Sequence, residues 1–253
     1  MNYLIEKPTH VATDHVLLRI STDFTDSQPG QFVNIRPTAG SDPLVRRPFS
    51  IFNQDESVIE LVIKVIGRGT RLIAAFEPGP VDMLAPLGKG FTVTTGKHAL
   101  LVGGGVGNAP LYYLARKLKD AGNRVTFIYG ARSKEFIYLE DRFAGTSDRL
   151  VITTDDGSRG QKGFVTTFAE EILHGKETVD QVYTCGPTPM MASLSQVCSN
   201  LQVPVEASLE NYFGCGIGLC SGCTVETTAG QKRACVEGPV MDGSSILWQS
   251  VSD

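Results

Sequence analysis

Four cysteines near the C-terminus, Cys215, Cys220, Cys223 and Cys235, follow the pattern Cys-x4-Cys-x2-Cys with a fourth after eleven intervening residues. This is the spacing by which plant-type ferredoxins hold a [2Fe–2S] cluster through four thiolates. Gly214, Gly216, Gly218 and Gly222 lie between and beside them. Glycine lets a backbone wrap closely and adopt positive φ, so that N–H groups can point at sulfur and stabilise the charge gained on reduction. The alternative is a zinc site, although zinc ligands usually come as two short-spaced pairs and here a single Cys-x2-Cys carries a Cys-x4 extension. Cys185 and Cys198 stand apart from this group.

A second candidate is the run Gly103-Gly104-Gly105-Val106-Gly107-Asn108-Ala109-Pro110. Glycines between a strand and a helix allow the backbone to approach a pyrophosphate, whose charge the helix N-terminus attracts. The run is Gly-x-Gly-x-x-Pro, not Gly-x-Gly-x-x-Gly, and proline suits the first turn of a helix. A tight strand-to-helix turn with no ligand is the competing reading. Cys185-Gly186-Pro187 is a further glycine turn at a strand end, and a ligand on an open parallel sheet sits on that edge.

These residues need elements to position them. Residues 15–20, 31–35 and 58–66 read as strands punctuated by Pro29-Gly30, Pro78-Gly79-Pro80 and Gly88-Lys89-Gly90. That spacing predicts an antiparallel β-barrel over residues 1–97. From His98 the pattern changes. Apolar runs at 99–102, 125–129, 150–153 and 181–184 alternate with helical segments near 109–121, 138–143, 164–174 and 189–201. Such alternation predicts a Rossmann-like parallel α/β domain over 98–209, closed by a last strand at 203–209. After Glu210 the alternation stops, and residues 210–253 are expected to form a small cysteine-held domain.

Composition limits what the chain can bind. With 42% hydrophobic and 20% charged residues it can bury substantial cores. A net charge of -4 and the lack of any basic tract give no reason to expect nucleic acid. No apolar stretch approaches the ~20 residues that span a bilayer, so no membrane partner is expected. Residues 1–7 lack the order of a signal peptide, and six cysteines in such a chain do not suggest a disulfide framework. A cytoplasmic protein is the expectation.

The order of these parts resembles the ferredoxin–NADP reductase superfamily over essentially the whole chain. Within it the similarity is greatest to the branch formed by the electron-transfer subunits of B-type dihydroorotate dehydrogenases. That branch carries Arg-Pro-x-Ser as its flavin motif, matched here by Arg47-Pro48-Phe49-Ser50. The resemblance implies that Arg47 holds the FAD pyrophosphate, Phe49 lies against the flavin and Ser50 hydrogen-bonds its reactive edge. A planar, permanently charged guanidinium suits a diphosphate. Val62, Ile63 and Lys64 match the strand that borders the flavin, and Gly69 and Thr70 belong to a second phosphate loop, Gly67-Arg68-Gly69-Thr70. Gly105, Gly107 and Asn108, with Cys185, Gly186 and Pro187, match the two nicotinamide-nucleotide loops. Residues 154–158 resemble a further loop of the branch, though a solvated turn reads equally well. The branch uses NAD, while Arg132 near a strand end is placed to meet a 2′-phosphate.

The implied cofactors are FAD, a [2Fe–2S] cluster and NAD(H), with no catalytic acid–base residue. The implied partner is an FMN-containing dihydroorotate dehydrogenase catalytic subunit of pyrimidine biosynthesis, in a heterotetramer. A hydrogenase, sulfur reductase or ferredoxin:NADP complex would use a similar cofactor set, and a self-contained reductase is another alternative. A zinc-stabilised nucleotide-binding module without redox chemistry is the reading from a different class.

Overall fold

A computed structural model describes residues 3–251. Met1, Asn2, Ser252 and Asp253, the ends of the first and third predicted domains, lie outside the described residues. The N-terminal region contains nine strands: β1 (Leu4–Ile5), β2 (Thr9–Ala12), β3 (His15–Ser21), β4 (Phe32–Ile35), β5 (Arg47–Ser50), β6 (Asn53–Asp55), β7 (Val58–Lys64), β8 (Gly79–Pro80) and β9 (Met83–Leu87). One short helix, α1 (Arg68–Ala74), follows β7. The strands form two antiparallel sheets, ordered β6-β7-β3-β1-β8 with β2 beside β3, and β5-β4-β9.

The two sheets close on one core. Val16, Leu18 and Ile20 alternate inward along β3 and meet Ile59, Leu61 and Ile63 of β7 and Val33 and Ile35 of β4. This is the period-two burial expected of strands with one face on a core. The chain crosses between the sheets at Ile51 and Phe52, whose N–H groups donate to the carbonyls of Gln31 (2.9 Å) and Glu60 (2.8 Å).

The second region alternates strand and helix: β10 (His98–Gly104), α2 (Asn108–Asp120), β11 (Arg124–Ala131), α3 (Glu140–Gly145), β12 (Arg149–Thr154), β13 (Gln161–Lys162), α4 (Val165–Leu173), β14 (Gln181–Cys185), α5 (Thr188–Asn200) and β15 (Val205–Ser208). The tail adds β16 (Thr224–Thr227), β17 (Gly230–Arg233), α6 (Ala234–Glu237) and β18 (Val240–Asp242). The sheet order is β13-β12-β11-β10-β14-β15-β18. All neighbours are parallel except β15 and β18. Ala99 to Val102 have no exposed surface, as their unbroken apolar run requires of a strand covered on both faces.

Strand order reverses between β10 and β14, so the carboxyl ends of these two strands form the crevice where open α/β sheets bind ligands. Both glycine turns lie there. The tail does not form a separate body to its end, because β18 completes the edge of the nucleotide-type sheet. Lys89 also bridges to Pro239, joining the tail to the barrel.

Candidate functional site

A cavity of about 850 Å³ runs between the barrel and the parallel sheet. Arg47, Pro48, Phe49 and Ser50 line it from β5, Val62 and Lys64 from β7, and Thr70 from α1. Gly105, Gly186 and Pro187 line it from the two glycine turns. Residues separated by up to 140 positions therefore share one wall. Ile63, Gly69, Gly107, Asn108 and Cys185 do not face the cavity; they stand behind its lining.

Each of these five has a structural reason for its place. Ile63 points into the barrel core, as alternation along β7 demands. A Cβ on Gly69 would lie 2.7 Å from Nε of Arg47, so glycine leaves the room that lets the guanidinium lie across the first turn of α1. A Cβ on Gly107 would lie 2.5 Å from the carbonyl oxygen of Cys185, so the two turns interlock backbone to backbone. Asn108 donates to the carbonyls of Gly105 (2.8 Å) and Gly130 (3.1 Å), pinning the turn to β11. The Cys185 thiol is buried, and burial first, then the nearby Glu210 charge, keep it protonated.

The turn is also braced from the barrel. The Tyr138 hydroxyl contacts the carbonyls of Gly105 and Val106, both at 3.3 Å. His15 stacks on the Tyr138 ring with centroids 5.2 Å apart, and its Nδ1 bonds the Thr13 carbonyl at 2.6 Å.

These walls suit a dinucleotide. Arg47 Nη1 bonds the carbonyls of Val45 (2.6 Å) and Arg46 (3.2 Å), which holds the guanidinium beside the Gly67–Thr70 turn. There the Thr70 hydroxyl accepts from the N–H groups of Ile66 and Gly67, both at 3.0 Å. Guanidinium and helix N-terminus together favour a diphosphate. The opposite end is lined by Arg132, Asp155 and the exposed ring of Phe164. The loop after β12, read as either nucleotide loop or solvated turn, thus reaches the cavity through Asp155.

Glu210 was not singled out by the sequence. It lines the cavity from the segment after β15 and is exposed there. Desolvation pushes its carboxyl above the usual range, and the Lys64 ammonium opposes that shift. Its place just beyond the carboxyl end of a parallel strand is the one signal that marks it.

In the tail, the four cysteine sulfurs meet in twos. The Cys220 thiol hydrogen-bonds Cys215, and Cys223 partners Cys235. Among the described residues, no three His, Cys, Asp or Glu side chains gather to hold one metal ion. Neighbouring thiol pairs are compatible with the two thiolates per iron of a [2Fe–2S] cluster.

Backbone N–H groups of Leu219 (3.3 Å) and Cys220 (3.4 Å) point at Cys215 Sγ. Burial alone would raise the Cys215 thiol, but these donors, Ile217 N–H and Cys220 together bring it to about 6. Burial and the Cys223 partner push Cys235 up to about 12. Of the four glycines, Gly216 and Gly218 take positive φ. Gly214 and Gly222 do not; a Cβ on Gly214 would crowd Cys220 Sγ at 3.2 Å, whereas one on Gly222 would meet it at an ordinary 3.6 Å.

Comparison with known proteins follows the same division. The sequence model of the iron–sulfur cluster binding domain of dihydroorotate dehydrogenase B matches residues 210–247. That of the oxidoreductase NAD-binding domain matches residues 101–196. The dihydroorotate dehydrogenase B (NAD(+)) electron transfer subunit of Desulforamulus reducens is 38% identical over 229 residues, covering 87% of each chain. Its counterpart in Shouchella clausii is also 38% identical, covering 96% of each.

Among solved structures, a chain of an NADH-dependent reduced ferredoxin-NADP oxidoreductase, studied for flavin-based electron bifurcation, superposes with a TM-score of 0.88. It is 34% identical and covers 99% of this chain and 91% of its own. A ferredoxin NADP+ reductase from Neisseria gonorrhoeae with bound FAD and NADP shares the fold at a TM-score of 0.69 and 19% identity, covering 82% and 98%. By sequence, by domain order and by the architecture of its cavity, the chain belongs to the family of dihydroorotate dehydrogenase B electron-transfer subunits.

Proposed function

We propose that this protein relays electrons between NAD(H), FAD and a [2Fe–2S] cluster for an FMN-containing subunit that oxidises dihydroorotate to orotate. The observation that carries this reading is the single cavity, which joins the flavin motif to both nucleotide turns and reaches Phe213, two residues before the first cluster cysteine. Bound FAD supplies the exchange between a two-electron hydride and single electrons.

The chain's own residues bind and position. Arg47, with the turn at Gly69 and Thr70, holds the FAD diphosphate. Pro48, Phe49 and Ser50 would border the ring system together with Val62 and Lys64, while Ile63 fixes that strand in the core. Gly105, Gly186 and Pro187 receive the nicotinamide nucleotide, with Gly107, Asn108 and Cys185 holding the turns in place behind them. Cys215, Cys220, Cys223 and Cys235 are the cluster ligands. No acid–base residue is needed, because the protein's work is orientation and electrostatics.

An exposed apolar rim supports a partner subunit at the cluster. Leu219 is 80% exposed and Ile217 47%, on either side of Gly218 and next to the exposed Cys220. A heterotetramer with the catalytic subunit is the assembly we infer. A cytoplasmic setting is the one we infer, since four of the six cysteines are proposed as cluster thiolates rather than disulfide partners. Among the described residues no helix is long and apolar enough to cross a membrane.

The test is turnover by the isolated chain with its cofactors. It is expected to reduce dyes with NADH and not to oxidise dihydroorotate; oxidation of dihydroorotate by the pure chain sinks the proposed division of labour. A second reading, service in a ferredoxin:NADP complex, draws support from the 34% identity to the ferredoxin-NADP oxidoreductase chain. Anaerobic co-purification separates the two, since the first predicts an FMN-containing companion that oxidises dihydroorotate.

A further inference from the structure

Two phenylalanines in tilted ring contact stand between the cavity and the cysteine loop. Phe32 of β4 and Phe213 hold their ring centroids 4.8 Å apart at 42°. Both rings line the cavity. Both also pack, with Leu87 at the margin, into one apolar cluster with Cys223, Ala234 and Cys235. They are 2% and 7% exposed, so the same two side chains touch the cavity on one side and the buried cysteine pair on the other. Two residues along β4, Asn34 donates from Nδ2 to the Cys215 carbonyl at 3.3 Å, fixing the outer half of the loop to the same strand.

We infer that the Phe32–Phe213 pair is the packed bridge across which single electrons pass between FAD and the cluster. In it, Phe213 is a positioning residue that sets the separation and keeps water from Cys223 and Cys235. The inference rests on the relay reading above and adds a route and a residue to it. Electron passage between centres weakens steeply with distance and with empty space, and close-packed side chains leave little of the latter. Neither ring changes oxidation state. Each passage removes one electron from reduced FAD and adds one to the oxidised cluster; no bond to protein forms or breaks, and any proton given up leaves through the open cavity.

The asymmetry of the loop gives the pair a second effect. Cys215 and Cys220 already meet solvent, whereas Cys223 and Cys235 are sealed. Solvent exposure and the apolar shell help set a cluster's potential. Water admitted at Phe213 would solvate the negative charge gained on reduction and raise that potential.

The experiment compares the full chain, loaded with FAD and cluster, with its Phe213→Ala and Phe213→Met variants. Rapid mixing with NADH follows flavin bleaching and freeze-quenched cluster paramagnetism together, and an equilibrium redox titration gives the cluster potential without turnover. In Phe213→Ala the rate of cluster reduction relative to flavin reduction is expected to fall several-fold, and the potential to move upward. Methionine, which refills the space, restores both. An unchanged ratio at an unshifted potential in Phe213→Ala overturns the inference, as does a methionine variant no better than alanine. If Phe213→Ala loses its cluster, Phe32→Leu carries the same test with the same expected and overturning results. Failure of the underlying relay looks different: the wild-type chain itself would give no reduced-cluster signal with NADH.

Discussion

Two glycine-rich segments serve the two ends of this molecule's chemistry, and they keep their shapes by opposite means. The turn at 103–107 rests on a preformed core. Leu101, Ala109, Leu111 and Tyr183 are buried beneath it, and Gly107 is locked against the backbone of Cys185. The loop at 214–222 has little beneath it: Phe32, Phe213 and Ala234 share their cluster with the cysteines themselves. A buried Leu or Phe contributes about 1.5–3 kcal/mol, so the first segment folds with the sheet while the second depends on what its thiolates hold. Glycine means packing in one place and, on the proposed reading, ligation in the other.

The largest test of that difference removes a ligand. Cys223→Ser takes a buried member from the inner pair. Structural metal–thiolate sites stabilise their segments by on the order of 10 kcal/mol. The variant is therefore expected to lose its iron and visible cluster absorption, and to expose residues 210–235 to proteolysis. The barrel and parallel sheet should keep their far-ultraviolet signal and bind NADH with unchanged affinity. Iron analysis, limited proteolysis and NADH titration check this; loss of NADH binding would show that the nucleotide turn leans on the cluster after all.

The converse is Gly107→Ala. Its backbone is ordinary for any residue, with φ near -62°, so the whole effect is the clash with the Cys185 carbonyl and Gly186 nitrogen. Overpacking of this kind costs about 1–3 kcal/mol, because neither backbone can withdraw without parting the two turns. NADH affinity is expected to fall about tenfold or more, following the ~1.4 kcal/mol per decade of binding arithmetic. Cluster content should not change. An unaltered dissociation constant would mean that the interlock of the two turns has no part in holding the nucleotide.

How much of this was legible in the sequence follows the same line. Parallel strands announce themselves because both faces are covered, and β10, β11, β12 and β14 fall on the apolar runs at 99–102, 125–129, 150–153 and 181–184. The cysteine pattern is legible because its spacing is a local property of residues 215–235. The strand β5 is not: all four of its residues are half-buried, and no alternation marks it. Nor is the return of the tail as β18, whose pairing with β15 is a long-range event with no local signature. Glu210 and the Phe32–Phe213 pair depend on what the fold brings together across 181 positions, and a lone acidic or aromatic residue carries no pattern of its own.

A third test comes from a contact far from both segments. Arg142 of α3 reaches across to the barrel, placing Nη2 2.6 Å from Glu60 Oε2 and its guanidinium 4.7 Å above the Phe52 ring. Glu60 is almost wholly buried and also accepts from Asn53 Nδ2 at 3.0 Å, with Arg19 more distant at 3.6 Å. Removing one partner of a fully buried pair costs about 3–5 kcal/mol, because a charge is left behind. Arg142 is 29% exposed and Glu60 keeps Asn53 and Arg19, so Arg142→Met should cost about 2 kcal/mol. For a chain of this size that lowers Tm by roughly 4–8 °C. Adding Glu60→Gln should then cost less than it does alone, since the two residues share one interaction. Iron content should stay at the wild-type level, because the clamp touches the cores of the barrel and sheet but not the cysteine loop. A fall in Tm with the cluster intact would confirm that the apolar cores and the ligated loop are stabilised independently; loss of iron in parallel with Tm would show them to be one cooperative unit.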